Sequence, residues 1–255
     1  MRAPCHSGGA RSRGVAFPRA TRDDVLGGRQ VLYGEADSRR LLLQTEGVVT
    51  MNDREIRDAY HRRRLSRQHK DPDTRVVDEL GLRHGVCRAD IAVVNGHLVG
   101  IEIKSDVDSL DRLSTQVASY SSVFDRAILV STDKHLPRAT DHVPEWWDIV
   151  CANQGPRGGI EFTTVRRGHA NPCVDSYAVA QLLWRDEAVG ILADLGVEDR
   201  ELRGTRAVLY DHLVSRLPQR ELRRCVRETI KRRAGWRDLA QPSSDVGLCP
   251  PGATS

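Results

Sequence analysis

Residues 74–105 read TRVVDELGLRHGVCRADIAVVNGHLVGIEIKS. Three short runs rich in Val, Ile and Leu lie within it, parted by His84-Gly85 and by Asn95-Gly96. Both dipeptides are turn signals, and Asn-Gly between alternating apolar residues is a strong hairpin signal. The stretch is expected to fold as an antiparallel three-stranded meander. A two-residue turn at His84-Gly85 sets Arg83 against Val86, and counting back sets Glu79 against Asp90. A three-residue loop over Asn95, Gly96 and His97, with Gly96 left-handed, sets Val94 against Leu98 and hence Asp90 against Glu102. Directly paired residues share a face, so Glu79, Asp90 and Glu102 form one row, and Lys104 joins it through period-two alternation. The other face receives Ile91, Val93, Val99 and Ile101, a sensible core face. A two-residue loop at Asn95-Gly96 would put Asp90 and Glu102 on opposite faces, so the row depends on this register.

Helical patterns flank the meander. MNDREIRDAYHRRRLSRQH opens at Met51, with Asn52 or Asp53 as cap and Glu55 in the first turn. Residues 106–123 carry Leu110, Leu113, Val117 and Tyr120 at helical spacing. RAILVST, from Arg126, reads as a buried central strand. A short helix over 135–143, a strand over 147–151, a loop at Gly155, Pro156, Gly158 and Gly159, and the strand IEFTTV follow. Beyond residue 174 the pattern is all-helical, with helices expected over 174–195, 198–217 and 219–237. The fold class is α/β: helix, three-stranded meander, helix, strand, and an α-helical C-terminal appendage.

The chain of 255 residues suits one sizeable domain, or one with a smaller companion. The Arg-, Gly-, Ser- and Pro-rich residues 1–50 are expected to be a disordered extension, with Met51 as the biological start. A core domain over 51–168, a helical region over 169–240 and a disordered tail over 241–255 complete the expected division. The six cysteines are scattered without a CxxC pair, which speaks against a zinc knuckle or a disulfide framework and for a reducing, cytoplasmic setting. No apolar run approaches the roughly 20 residues of a membrane span. The net charge of +4 permits a phosphate-bearing partner without demanding one.

Three carboxylates in a row repel one another and raise one another's pKa. A divalent cation resolves that conflict, and hard oxygen ligands suit Mg²⁺ or Mn²⁺. Such an ion polarises a phosphoryl oxygen and activates water. Lys104 is then placed to orient that water or to stabilise developing negative charge.

Asp90 followed by Glu102-Ile103-Lys104 on the next strand resembles the PD-(D/E)XK nuclease superfamily. More closely, VVDELGLRHGVCRADIAVVNGHLVGIEIKSD resembles a group of small bacterial proteins of that superfamily. The resemblance implies a restriction-endonuclease-like core. It implies Asp90 and Glu102 as metal ligands, the Ile103 carbonyl completing the site, and Lys104 as the catalytic lysine. A further acidic ligand would come from Glu55 or Glu79, and the register favours Glu79. Gln116 and Tyr120 form a Q-x-x-x-Y spacing like that of the RecB-type branch, with Gln116 holding a metal-bound water or a phosphate. Ala89 stands where the family's nominal proline would be.

The activity so implied is a metal-dependent deoxyribonuclease, in DNA repair or defence. Arg88 and Tyr120 are candidate phosphate or nucleic-acid contacts. Residues 219–237 hold eight basic residues against Glu221 and Glu228, and Arg223, Arg224 and Arg227 are expected to grip a DNA backbone. Two alternatives remain: a non-catalytic nucleic-acid-binding module on the same fold, and a homodimer or protein-interaction role for the C-terminal helices.

Overall fold

The computed structural model describes residues 50–233. The expected extension over 1–49, the tail over 241–255 and the last residues of the final helix, 234–237, lie outside the described residues. Helix α1 spans Asp53–Arg64 and begins as its sequence dictates. The Asn52 side chain accepts from the Glu55 N–H, and the Glu55 carboxylate accepts from the Asn52 N–H, each at 3.0 Å. This capping box satisfies two otherwise unpaired donors, and it assigns Glu55 to the helix end.

Strands β1 (Arg75–Leu82), β2 (Cys87–Val94) and β3 (Leu98–Lys104) form the meander. Helix α2 (Leu113–Val123) follows, shorter than the expected 106–123, and leads to β4 (Arg126–Thr132). Then come α3 (Leu136–Thr140), β5 (Asp148–Gln154) and β6 (Ile160–Arg166). The six strands form one sheet in sequence order. Strands β3, β4 and β5 run parallel, and the other pairs are antiparallel. The fold is mixed α/β, and among the described residues no helix is long and apolar enough to cross a membrane.

The registers are those counted from the turns. Leu82 pairs with Cys87 and Asp78 with Ile91. Val94 pairs with Leu98 and Ile91 with Ile101. The loops differ in detail. The first spans residues 83–86 rather than two, and Arg83, His84 and Gly85 all have positive φ, at 48°, 59° and 88°. In the second, Gly96 is not among the residues with positive φ. Asn95 closes that loop instead: its side chain accepts from the His97 N–H at 2.9 Å, while its own N–H donates to the His97 carbonyl at 3.0 Å.

Glu79 departs from the expected row. Its φ is 55°, and the ladder passes from Asp78↔Ile91 to Leu80↔Ala89 without a Glu79–Asp90 pair. Val77, Leu80 and Leu82 all join one hydrophobic cluster, which strict alternation forbids for Val77 with the other two. The left-handed residue breaks the period and re-aims the Glu79 side chain.

Two cores sandwich the sheet. Met51, Ile56 and Tyr60 cover Ile91, Val93, Ile101, Ile103, Val130 and Val150 on one face. On the other, Val117, Tyr120, Val123 and Phe124 of the α2 segment pack with Ala92, Val94, Leu98 and Leu129. Gly100 admits this packing, because a Cβ there would stand 2.6 Å from the Phe124 ring. Trp146 and Trp147 are buried in the same core.

The C-terminal region joins this second core through Leu182, Leu209, Leu222, Val226 and Ile230. It forms five helices where three longer ones were expected: α4 (Ser176–Ala180), α5 (Arg185–Asp194), α6 (Asp199–Leu202), α7 (Arg206–Arg216) and α8 (Gln219–Arg232). The breaks fall at extended capping residues, Trp184 and Thr205. Glu187 receives the Trp184 N–H at 2.7 Å, and Thr205 caps α7. Capping thus outweighs the helical periodicity that runs through both positions.

Candidate functional site

The β2–β3 hairpin and α2 bring Asp90, Glu102, Lys104, Gln116 and Tyr120 together. Glu102 is fully buried. Its Oε1 accepts from Lys104 Nζ at 2.7 Å and from Gln116 Nε2 at 2.5 Å. Its Oε2 accepts from the Tyr120 hydroxyl at 2.7 Å. That hydroxyl in turn accepts from the Asp90 N–H at 3.3 Å. Burial raises the Glu102 pKa, and the Lys104 ammonium and the Tyr120 hydroxyl work against that rise. Burial, with the charge of Glu102, also lifts the Tyr120 phenol well above its ordinary range. The i and i+4 spacing of Gln116 and Tyr120 delivers both to one carboxylate.

Asp90 is held from the other side. Its Oδ2 accepts from the Ile103 N–H at 2.7 Å, and its Oδ1 accepts from Arg57 Nη2 at 3.1 Å. Ile103 therefore contributes an N–H to this contact. Burial and the neighbouring Glu102 charge push the Asp90 carboxyl up to about 8, against the pull of the Ile103 N–H and Arg57.

Arg57, on α1, is the residue that the sequence reading missed. It lies 3.1 Å from Asp53, 2.9 Å from Glu79 and 3.1 Å from Asp90, and donates to the Asp90 carbonyl at 2.8 Å. Burial opposes its charge, but Asp90, Asp53, Glu79 and Asp78 outweigh burial and raise its pKa. Glu79 thus faces Arg57 on α1, and exposed Arg88 stands 3.7 Å from its far oxygen. The signal was available: Asp53 and Arg57 are i and i+4 on one helix face.

The donor set bears on the expected Mg²⁺ or Mn²⁺. Every carboxylate oxygen of Asp90 and Glu102 already accepts from the chain's own donors. Two resident cations, Arg57 and Lys104, neutralise the cluster. Among the described residues no group of three His, Cys, Asp or Glu side chains is disposed to hold a metal ion. The residues as arranged do not fit a divalent cation, and no chemical step is derived through one.

Three of the five arginines of α8 have carboxylate partners, while Arg220 and Arg232 are exposed. Arg223 pairs with buried Asp125, and Arg227 lies 3.7 Å from the same carboxylate. Arg224 lies 3.0 Å from Glu221. A run of exposed basic residues lies at the C-terminal end of α1: Arg62, Arg63, Arg64 and Arg67. Tyr60 packs edge-on to Phe162 at 5.2 Å, and Arg64 donates to Thr164 at 3.2 Å, so this end of α1 lies against β6. A Cβ on Gly159 would come within 3.1 Å of Arg63, and exposed Arg157 belongs to the same β5–β6 turn. Among the described residues no carboxylate forms an ion pair with Arg62, Arg63 or Arg67. The run HRRRLSR was legible in the sequence as four arginines with no acidic residue among them, flanked by Asp58 and Asp71.

A model of the family described as Bacteriophage P4 protein cII matches residues 54–240. Protein cII of Enterobacteria phage P4 is 28% identical over 163 residues, which cover 63% of this chain and 60% of that protein. No solved structure matches the chain. The family match covers the whole stretch that suggested a PD-(D/E)XK nuclease. It overturns that resemblance, together with the metal-dependent deoxyribonuclease activity and the repair or defence role inferred from it. The chain belongs to the bacteriophage P4 protein cII family.

Proposed function

We propose that this chain is a non-catalytic nucleic-acid-binding module that uses a restriction-endonuclease-like core as a scaffold. The order of helix, meander, helix and strand supports that core. The internal neutralisation of Asp90 and Glu102 by Arg57 and Lys104 supports a structural role for the cluster, tying α1, the meander and α2 together. The observation that carries the reading is the set of exposed arginines at the end of α1, beside the β5–β6 turn. Guanidinium groups without carboxylate partners bind phosphate oxygens in two-pronged fashion and release counterions, which gives affinity without sequence readout.

The test is DNA binding followed by fluorescence anisotropy across a salt series, with wild type beside the combined Arg62→Ala, Arg63→Ala and Arg67→Ala variant. We expect the slope of log affinity against log salt to fall by about 0.9 for each duplex phosphate that the variant no longer neutralises. An unchanged slope and affinity would reject the interface.

A further inference from the structure

Beside the arginine run, side chains from three segments form one hydrogen-bonded chain. His61 is a buried residue of α1. His69 belongs to the single 3-10 turn Gln68–Lys70 that follows the run. Asp78 is partly buried on β1. His61 Nε2 stands 3.0 Å from Asp78 Oδ1, and His61 Nδ1 stands 2.9 Å from His69 Nε2. The two ring centres are 5.1 Å apart, close to the span of two imidazoles aligned along one N–H···N bond.

The chemistry of each atom sets the proton count. An ionised carboxylate only accepts, so His61 Nε2 carries a proton toward Asp78. One further proton lies between the imidazoles, because two bare nitrogens or two N–H groups cannot bond to each other. The pair can therefore gain one positive charge with every bond intact, and a second charge would set two N–H groups face to face. Burial holds the His69 pKa below its ordinary value, the charge of His61 adds to this, and Asp78 opposes both. Arg57 of α1 also feels the Asp78 charge. Arg67, Lys70 and Asp71 neighbour His69 in sequence, and Lys231 of α8 acts on Asp71.

We propose that nucleic acid bound at the end of α1 draws one proton into the His61–His69 pair, which adds a positive charge beside Arg67. This inference rests on the nucleic-acid reading of that surface. A nearby polyanion favours the charged imidazole, and by linkage the complex tightens as pH falls. His69 lies two residues from Arg67 and next to exposed Lys70, so the added charge joins the basic surface. Because the pair accommodates one added proton, its share of the gain cannot exceed about tenfold in affinity per pH unit.

The test is duplex DNA binding by the full chain at fixed salt between pH 8 and 5.5, with wild type beside His69→Gln. The amide keeps a hydrogen-bond donor for His61 Nδ1 but cannot take up charge. Wild-type affinity should rise more steeply than that of the variant, by about threefold to tenfold per pH unit where the pair titrates. Parallel curves for the two overturn this inference and leave the reading of the surface standing, whereas absence of binding at every pH overturns both. Nitrogen-15 NMR of the wild-type imidazoles needs no substitution. Duplex DNA should raise the pH at which His69 titrates, and an unmoved titration overturns the inference.

Discussion

The end of α1 and the length of α8 are both rich in arginine, but three of the five arginines of α8 have carboxylate partners that those at the end of α1 lack among the described residues. In α8, Leu222, Val226 and Ile230 are buried, so the arginines beside them lie at the rim of a packed face. There Arg223 and Arg227 meet Asp125, Arg224 meets Glu221 and Lys231 meets Glu228. At the end of α1 the exposed arginines continue past the helix, and no carboxylate forms an ion pair with Arg62, Arg63 or Arg67 among the described residues. The net charge of a segment therefore does not identify an interface. The proposed interface rests instead on charge that the described residues leave uncompensated. Burial also lowers the pKa of Arg223, aided by the charge of Arg227.

The largest effect should come from removing that carboxylate. Asp125 is only 5% exposed at its side chain and also accepts the Leu98 N–H at 2.7 Å. Asp125→Ala strands two guanidiniums and one backbone donor, and breaking a buried pair from one side costs about 3–5 kcal/mol. The midpoint of chemical denaturation measures it. A midpoint equal to that of wild type would break the comparison, since the α8 arginines would then be no more compensated than those of α1.

A smaller effect extends the comparison to the Asp90 cluster, where Arg57 compensates a carboxylate as Arg223 does. The Asp90 pKa is raised from its ordinary 3.8 to about 8, chiefly by burial and then by the charge of Glu102. A raised carboxyl pKa means that the folded chain keeps a proton that the unfolded chain has released. The associated stability is complete below about 3.8 and is lost as pH climbs through about 8. The loss cannot exceed about 1.4 kcal/mol per pH unit, and Arg57 with the Ile103 N–H reduces it. Denaturation midpoints taken between pH 5 and 8 should fall for wild type and flatten for Asp90→Asn. Parallel curves for the two would show that Asp90 folds fully ionised.

The meander was legible because its turns carry their own chemistry: Asn95 closes the second loop with its side chain, and the counted register follows. The α1 start was legible for the same reason, since Asn52 and Glu55 need only each other. Glu79 was not. Its position against Asp90 follows from counting, but its direction follows from a left-handed φ that no glycine announced. Arg57 was missed because its partners come from three separate segments. The clustering of Asp90, Glu102, Lys104, Gln116 and Tyr120 was readable from strand and helix periodicity, but the donors that satisfy each oxygen were not. The family match then separates that arrangement from the catalysis it suggested.

The smallest effects make the sharpest form of the comparison. Arg224 on α8 and Arg62 on α1 are both exposed helical arginines, and they differ in that Arg224 has Glu221 at 3.0 Å. A surface pair of this kind contributes little to stability, so Arg224→Ala and Arg62→Ala should each leave the denaturation midpoint nearly unchanged. Binding should separate them. Arg62→Ala should lower the salt slope for duplex DNA by about 0.9, whereas Arg224→Ala should leave it alone, because Glu221 already holds that guanidinium. If Arg224→Ala lowers the slope as much as Arg62→Ala does, a local carboxylate does not withdraw an arginine from phosphate. The interface would then have to be assigned by exposure alone.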